Sequence, residues 1–305
     1  TDEAGARFAA ALGLEPDSVP ALLGRARTLA RGGAFEEALE LLDRAVEREP
    51  DRPDPRLQRG SLAIRLAEEE AAGDGARKAR LRAQAIADFE RALEADPGNP
   101  RMRLLLAWGR CAAGEPASAL RILDELVAEG RPLPTLWSNR GTTLAMLGRF
   151  EEAIRSFDRA IDEEGASVLD LRSRGFARCE SGDHTRAALD FEQAIELDPS
   201  RSDLQFLAGR CWYESSQELA RAAPDDRSQA EAQARRALEH LDRFLERDDG
   251  LPEGWLRRGQ VRLALGLTGP ALEDLETLAR RWPSQVTPEL EALIEHARRR
   301  VDEAR

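Results

Sequence analysis

Few residues of this chain are equipped for covalent or acid–base chemistry, and their spacing decides what they can do. Of 45 Lys plus Arg, Lys78 is the sole lysine and the remaining 44 are arginine. A phosphate-binding loop needs Gly-Lys-Ser/Thr, whereas Lys78 follows Arg77, so that nucleotide chemistry is excluded. A protein-kinase site needs a strand lysine and an Asp-Phe-Gly metal anchor, and the sequence has neither. Cys111, Cys179 and Cys211 are widely spaced without Cys-x-x-Cys, which reads as separate buried thiols or a reducing compartment rather than a disulfide framework. His184, His240 and His296 fall at unrelated intervals, with no His-x-x-x-His, Glu-x-x-His or Cys–His cluster at metal-ligand spacing. With 57 Asp plus Glu, carboxylate pairs are everywhere and carry no catalytic signal. The expectation is no catalytic residue, no metal ligand and no cofactor, hence not an enzyme.

Bulk properties narrow the partners. The 305 residues carry a net charge of −12, with 33% charged and 42% hydrophobic residues. An acidic chain is short of the cations that neutralise a nucleic-acid backbone, so no nucleic-acid partner is expected. No stretch approaches 18 consecutive apolar residues, so no membrane partner is expected and a cytoplasmic location follows. The preference for Arg over Lys, with abundant Ala, Leu and Gly, suits a GC-rich bacterial genome.

The elements that carry these residues are set by self-similarity. Gly33-Ala34-Phe35-Glu36-Glu37-Ala38-Leu39 matches Gly148-Arg149-Phe150-Glu151-Glu152-Ala153-Ile154. Ala92-Leu93-Glu94-Ala95-Asp96-Pro97 matches Ala194-Ile195-Glu196-Leu197-Asp198-Pro199, and Trp137-Ser138-Asn139-Arg140-Gly141 matches Trp255-Leu256-Arg257-Arg258-Gly259. Without insertions the interval is 34 residues, as from Gly141 to Gly175. This pattern resembles the tetratricopeptide repeat (TPR), a helix–turn–helix unit of that period. The resemblance covers nearly the whole chain and implies an all-α fold, a right-handed α-solenoid of stacked TPR units.

In that register residues 1–18 read as the second helix of a truncated repeat. Seven repeats follow at 19–52, 53–99, 100–133, 134–167, 168–201, 202–251 and 252–285, and residues 286–305 read as a C-terminal capping helix. Opening on half a repeat suggests a fragment of a larger protein. The second and sixth repeats are longer than 34 residues, with insertions within 64–81 and 214–230 that read as extended helical hairpins. Repeat position 15 is Gly33, Gly114, Gly148, Gly182 or Gly266, suited to ending the first helix in a left-handed conformation. Second helices alternate Ala, large apolar and Ala, as in Ala153, Phe157 and Ala160, so that they approach closely. Arginine recurs at position 7 (Arg25, Arg59, Arg140, Arg174, Arg258) and an acid at position 25 (Asp43, Glu90, Asp124, Asp158, Glu192, Asp242, Glu276). A structural ladder of buried arginines held by acids is the expected use.

The opposite face of the first helices is the candidate site. By resemblance, positions 2, 5, 6, 9, 12 and 13 line a concave groove that takes peptides. Here they include Leu104, Trp108, Asn139, Arg172, Phe176, Phe206, Arg210, Tyr213, Leu256 and Arg257, with further cations at Arg27, Arg65 and Arg101. Aromatics clustered beside arginine are the makings of a binding hot spot, unless curvature buries them against the next repeat. The expected partner is a protein or peptide, held as an extended segment or a helix, with arginine selecting acidic or C-terminal groups. The alternatives are a regulatory or substrate-recruiting domain of a larger bacterial enzyme, such as a Ser/Thr kinase or protease, and self-association through apolar faces. One TPR class clamps chaperone C-termini with Lys and Asn at fixed positions. The corresponding residues are Leu23, Arg27, Gln58, Arg101 and Leu105, or Ser138, Thr142, Ser173, Asp203 and Leu207, so that ligand is not expected.

Overall fold

Each first helix runs until a glycine lets the chain turn left-handed. In a computed structural model, which describes residues 2–69 and 74–303, Gly33, Gly114, Gly148, Gly182 and Gly266 all have φ between +72° and +84°. The residue after each of four of them donates its N–H to the carbonyl five residues back: Ala34 to Leu29, Glu115 to Arg110, Asp183 to Arg178 and Leu267 to Arg262. These bonds satisfy carbonyls that the helix end would otherwise leave bare.

The described residues form sixteen α-helices and no strand. After α1 (Asp2–Leu14) come α2 (Val19–Arg31), α3 (Phe35–Arg48), α4 (Pro53–Glu69), α5 (Gly75–Ala95), α6 (Pro100–Ala112), α7 (Pro116–Ala128) and α8 (Leu136–Met146). Then follow α9 (Phe150–Glu164), α10 (Val168–Glu180), α11 (His184–Leu197), α12 (Ser202–Ala222), α13 (Ser228–Arg247), α14 (Pro252–Ala264) and α15 (Thr268–Arg281). A 3-10 turn at Pro283–Gln285 leads into α16 (Pro288–Glu303). Helix starts are capped where the sequence offers a short polar side chain: Asn99 accepts from Met102 N–H, Ser167 from Asp170 N–H and Asp183 from Arg186 N–H.

The chain divides into two compact units, one ending at Gly148 and one beginning at Arg149. In the first, α2 to α8 bury a continuous core that includes Leu22, Ala38, Leu42, Ile64, Phe89 and Leu123. In the second, α10 to α14 enclose Leu171, Phe191, Leu204, Trp212 and Leu241, and α15 packs with α16 through Leu275, Leu278, Leu290 and Ile294. The Ala–large–Ala stripe is inward throughout: Ala85, Phe89 and Ala92, or Ala187, Phe191 and Ala194, are at most 1% exposed.

The two inserted segments lengthen helices. Helices α4 and α5 have 17 and 21 residues, and α12 and α13 have 21 and 20, against 11–15 in the other paired helices. In the sixth repeat the chain reverses between Ala222 and Ser228, where Asp226 accepts from Ser228 N–H. In the second, Asp74 caps α5 by accepting from Arg77 N–H, and residues 70–73 lie outside the described residues.

Candidate functional site

Four of the five position-7 arginines are consumed by the array. Arg59 Nη1 donates to Asp43 at 2.8 Å, Arg140 Nε to Asp124 at 2.8 Å, Arg174 Nη1 to Asp158 at 2.7 Å and Arg258 Nη1 to Asp242 at 2.9 Å. Each reaches back 16 residues, from a first helix to the second helix of the preceding repeat. The side chains of Arg140 and Arg174 are only 19% and 13% exposed, as a structural ladder requires. The same guanidiniums hold a second carboxylate that the sequence reading missed. Arg59 pairs with Asp88, Arg174 with Asp190 and Arg258 with Asp274, at 2.6–3.1 Å. These aspartates are 1–2% exposed and sit at repeat position 23, on the second helix of the arginine's own repeat. Burial pushes the Asp190 carboxyl up, against the opposing charges of Arg174 and Arg178.

The sixth repeat has Ala208 at position 7, and a different network takes the arginine's place. Glu192 accepts from Trp212 Nε1 at 2.8 Å and Arg236 Nη2 at 2.7 Å, and its Oε1 lies 2.9 Å from His240 Nε2. The other ring nitrogen of His240 is 2.7 Å from Gln205 Oε1. Burial alone would raise the Glu192 carboxyl, but the bonds from His240 and Trp212 and the charge of Arg236 outweigh it and hold it below its ordinary range.

Other arginines are left over. Among the described residues, the side chains of Arg27 on α2, Arg65 on α4 and Arg101 on α6 form no ion pair within 4 Å; Arg65 lies over the Phe35 ring at 5.0 Å, and its charge also acts on Glu68. In a chain with net charge −12, cations outside any close ion pair on three successive first helices stand out. Two of them rim a cleft of about 410 Å³ in the first unit. Its floor is apolar, made by Ala26, Ala30, Leu42, Leu57, Leu62 and Leu105, and Gln58 and Ser61 add hydrogen-bonding groups. Arg27, Ala30, Leu57, Gln58, Ser61, Arg65 and Leu105 occupy the groove positions of α2, α4 and α6, while the core residues Ala26, Leu62 and, from α3, Leu42 close the floor.

The ten residues singled out from sequence do not form one exposed surface. Leu104 corrects the reading outright: it is buried in the first core at 8% exposure, because α4 packs against α6 as well as α7 does. Trp108 is half-buried against the same core, and Asn139 is half-buried on α8. In the second unit the expectation of free-standing aromatics is also corrected. Phe176 meets Phe191 edge-on with centroids 5.6 Å apart, and Phe206 packs on Phe244 at 5.4 Å. Tyr213 and Leu256 are likewise half-buried against neighbouring helices. Arg172 stacks 5.0 Å from the Phe176 ring and pairs with Asp203 at 3.7 Å, while Arg257 pairs with Glu253 and Glu214 at 3.0 and 3.3 Å. Arg210 is half-buried and, among the described residues, has no ion-pair partner.

The cysteines also depart from expectation. Cys179 on α10 and Cys211 on α12 are joined as a disulfide, their Cα atoms 7.0 Å apart, so they are not separate thiols. They lie 32 residues apart, and stacking brings the first helices of successive repeats together. His184 joins them: one donor atom from each of Cys179, His184 and Cys211 lies within 4.8 Å of the other two. Local spacing in the sequence gave no sign of this grouping. Cys111 is a free buried thiol that accepts from the Thr143 hydroxyl at 3.4 Å, and burial raises its pKa.

Models of the tetratricopeptide repeat match residues 1–61 and 76–138, 134–165, and 177–235. The chain is a tetratricopeptide repeat protein. A TPR protein from Parabacteroides merdae superposes with a TM-score of 0.50 at 16% identity, covering 92% of this chain and 98% of that one. The human IFIT1 dimer with m7Gppp-AAAA gives 0.54 at 16% identity, covering 86% and 72%. FK506-binding protein-like from Mus musculus is 35% identical over 82 residues, 27% of this chain and 24% of that relative, so the chain spans about a quarter of it. The fold is therefore all-α, of the TPR α-solenoid class, and TPR proteins of this kind are scaffolds for protein–protein interaction. Among the described residues no helix is long and apolar enough to cross a membrane.

Proposed function

We propose that this TPR protein holds an extended, acidic–apolar peptide segment of a protein partner in the cleft of its first unit. The observation that carries the reading is the cleft of about 410 Å³ rimmed by Arg27 and Arg65. A guanidinium outside any close internal ion pair is available for bidentate recognition of a carboxylate, and the leucine floor supplies the apolar burial. The free Arg101, on the third helix of the same face, extends the positive rim along α6. In the second unit, Arg210 and the half-buried Tyr213 and Phe206 offer a further contact point of the same kind.

The test is selection of peptides from a random displayed library, followed by fluorescence anisotropy against the wild type and the Arg27→Glu/Arg65→Glu double variant. Selected sequences should combine acidic and large apolar residues. Two charge-assisted bonds at about 1.5–3 kcal/mol each correspond to at least a hundredfold weaker binding by the double variant. Equal affinity for both proteins, with circular dichroism confirming that both are folded, would refute the assignment.

A further inference from the structure

We infer that the chain, in its reduced state, binds one Zn²⁺ ion through Cys179, Cys211 and His184. Two sulfurs and an imidazole are the donor set that a thiophilic divalent ion prefers, and hard cations do not. Tetrahedral Zn²⁺ at about 2.3 Å from sulfur and about 2.0–2.1 Å from nitrogen places its ligands roughly 3.5–3.8 Å from one another. The three donors already lie within 4.8 Å of each other, so side-chain adjustment suffices to close the shell. They are supplied by three rigid elements of one unit: the last turn of α10, the first residue of α11 and the middle of α12.

His184 carries the second observation. Its Nε2 lies 3.4 Å from Glu218 Oε1, while Nδ1 is buried with no hydrogen-bond partner. A carboxylate beside one ring nitrogen favours the tautomer with its proton there and a lone pair on the other, the arrangement seen in metal-ligating histidines. A buried lone pair without a donor is costly, and a cation removes that cost. Two thiolates neutralise the ion, and a water closes the fourth position.

Ion and disulfide exclude one another, because each uses both sulfurs. The oxidised chain is thus a mutation-free control. The full chain, reduced with a phosphine and stripped with EDTA under anaerobic conditions, is titrated with Co²⁺ and then with Zn²⁺. One equivalent of Co²⁺ should bring up a thiolate-to-cobalt charge-transfer band, which Zn²⁺ abolishes. Cys111→Ser should behave as the wild type. Cys179→Ser or Cys211→Ser should lose the band and weaken Zn²⁺ at least a hundredfold by calorimetry. His184→Ala should cost ten- to a hundredfold, and Glu218→Gln about tenfold. Circular dichroism establishes that each variant keeps its helix content. Absence of the band in reduced, folded wild type overturns the inference. So does Zn²⁺ affinity that is unchanged in Cys179→Ser or His184→Ala, or equal in the oxidised chain.

Discussion

At Gly175 a Cβ atom would stand 2.8 Å from Cε1 of Phe191, closer than real side chains come. The first helix therefore reaches its partner only because this residue has no side chain. Gly175→Ala gains helix propensity of about 1 kcal/mol but must displace a ring that has no room to move, at about 1–3 kcal/mol. A net loss of up to about 2 kcal/mol is expected in urea unfolding, whereas Gly13→Ala, which meets nothing within 4 Å, should not destabilise. Glu192 makes a second prediction. Its folded pKa lies below the unfolded value, so the folded state binds fewer protons there and stability falls as pH drops through that range. The gap in Tm between wild type and Glu192→Gln should be widest above about pH 5 and narrow as pH falls below about 4. A gap independent of pH would contradict it.

At the scale of the helix pair, the joint between repeats is a three-part ionic staple. It consists of an acid at position 25, the arginine at position 7 of the next repeat and, in three repeats, a buried aspartate at position 23. Removing the position-7 arginine takes away one of the two guanidiniums on a buried carboxylate, since Arg178 also holds Asp190 at 2.7 Å. Arg174→Ala should cost about 1.5–3 kcal/mol through its lost charge-assisted bonds, and the Arg174→Leu/Asp190→Leu pair should cost less than the sum of its single variants. Additive losses in that cycle would mean that the residues do not act together. Much of this level was legible, because what recurs every 34 residues also recurs in space: the glycines, the alanine stripe and the arginines. Position 23 escaped because only Asp88, Asp190 and Asp274 occupy it as acids, and one of them lies beyond an insertion. Leu104 was misplaced because a helical wheel describes one helix and not the neighbour that covers it. Cys211 joins Cys179 and His184, which flank one turn of the preceding repeat, only through stacking between repeats, which no spacing within a segment encodes.

For the whole molecule, ligand choice follows from which cations the array leaves unspent. The residues at clamp positions include the buried Leu23 and Leu207, which cannot replace a lysine or a second cation. A chaperone-tail peptide should therefore bind no more tightly than about 100 μM in titration, and groove-specific micromolar affinity would count against the cleft as described. The staple has one more consequence, for how such a chain changes length over generations. In each of the four pairs the arginine follows the position-25 acid by 16 residues, as Arg174 follows Asp158. A tandem duplication of Gly141 through Arg174 would therefore deliver a new acid and a new arginine already in step. Neither junction would need a compensating substitution. Lengthening by whole periods is thus inherited with these pairs intact. So is lengthening between the paired helices, as the second and sixth repeats show by keeping Arg59 on Asp43 and Arg258 on Asp242. Only a change of length between position 25 and the next position 7 breaks the step.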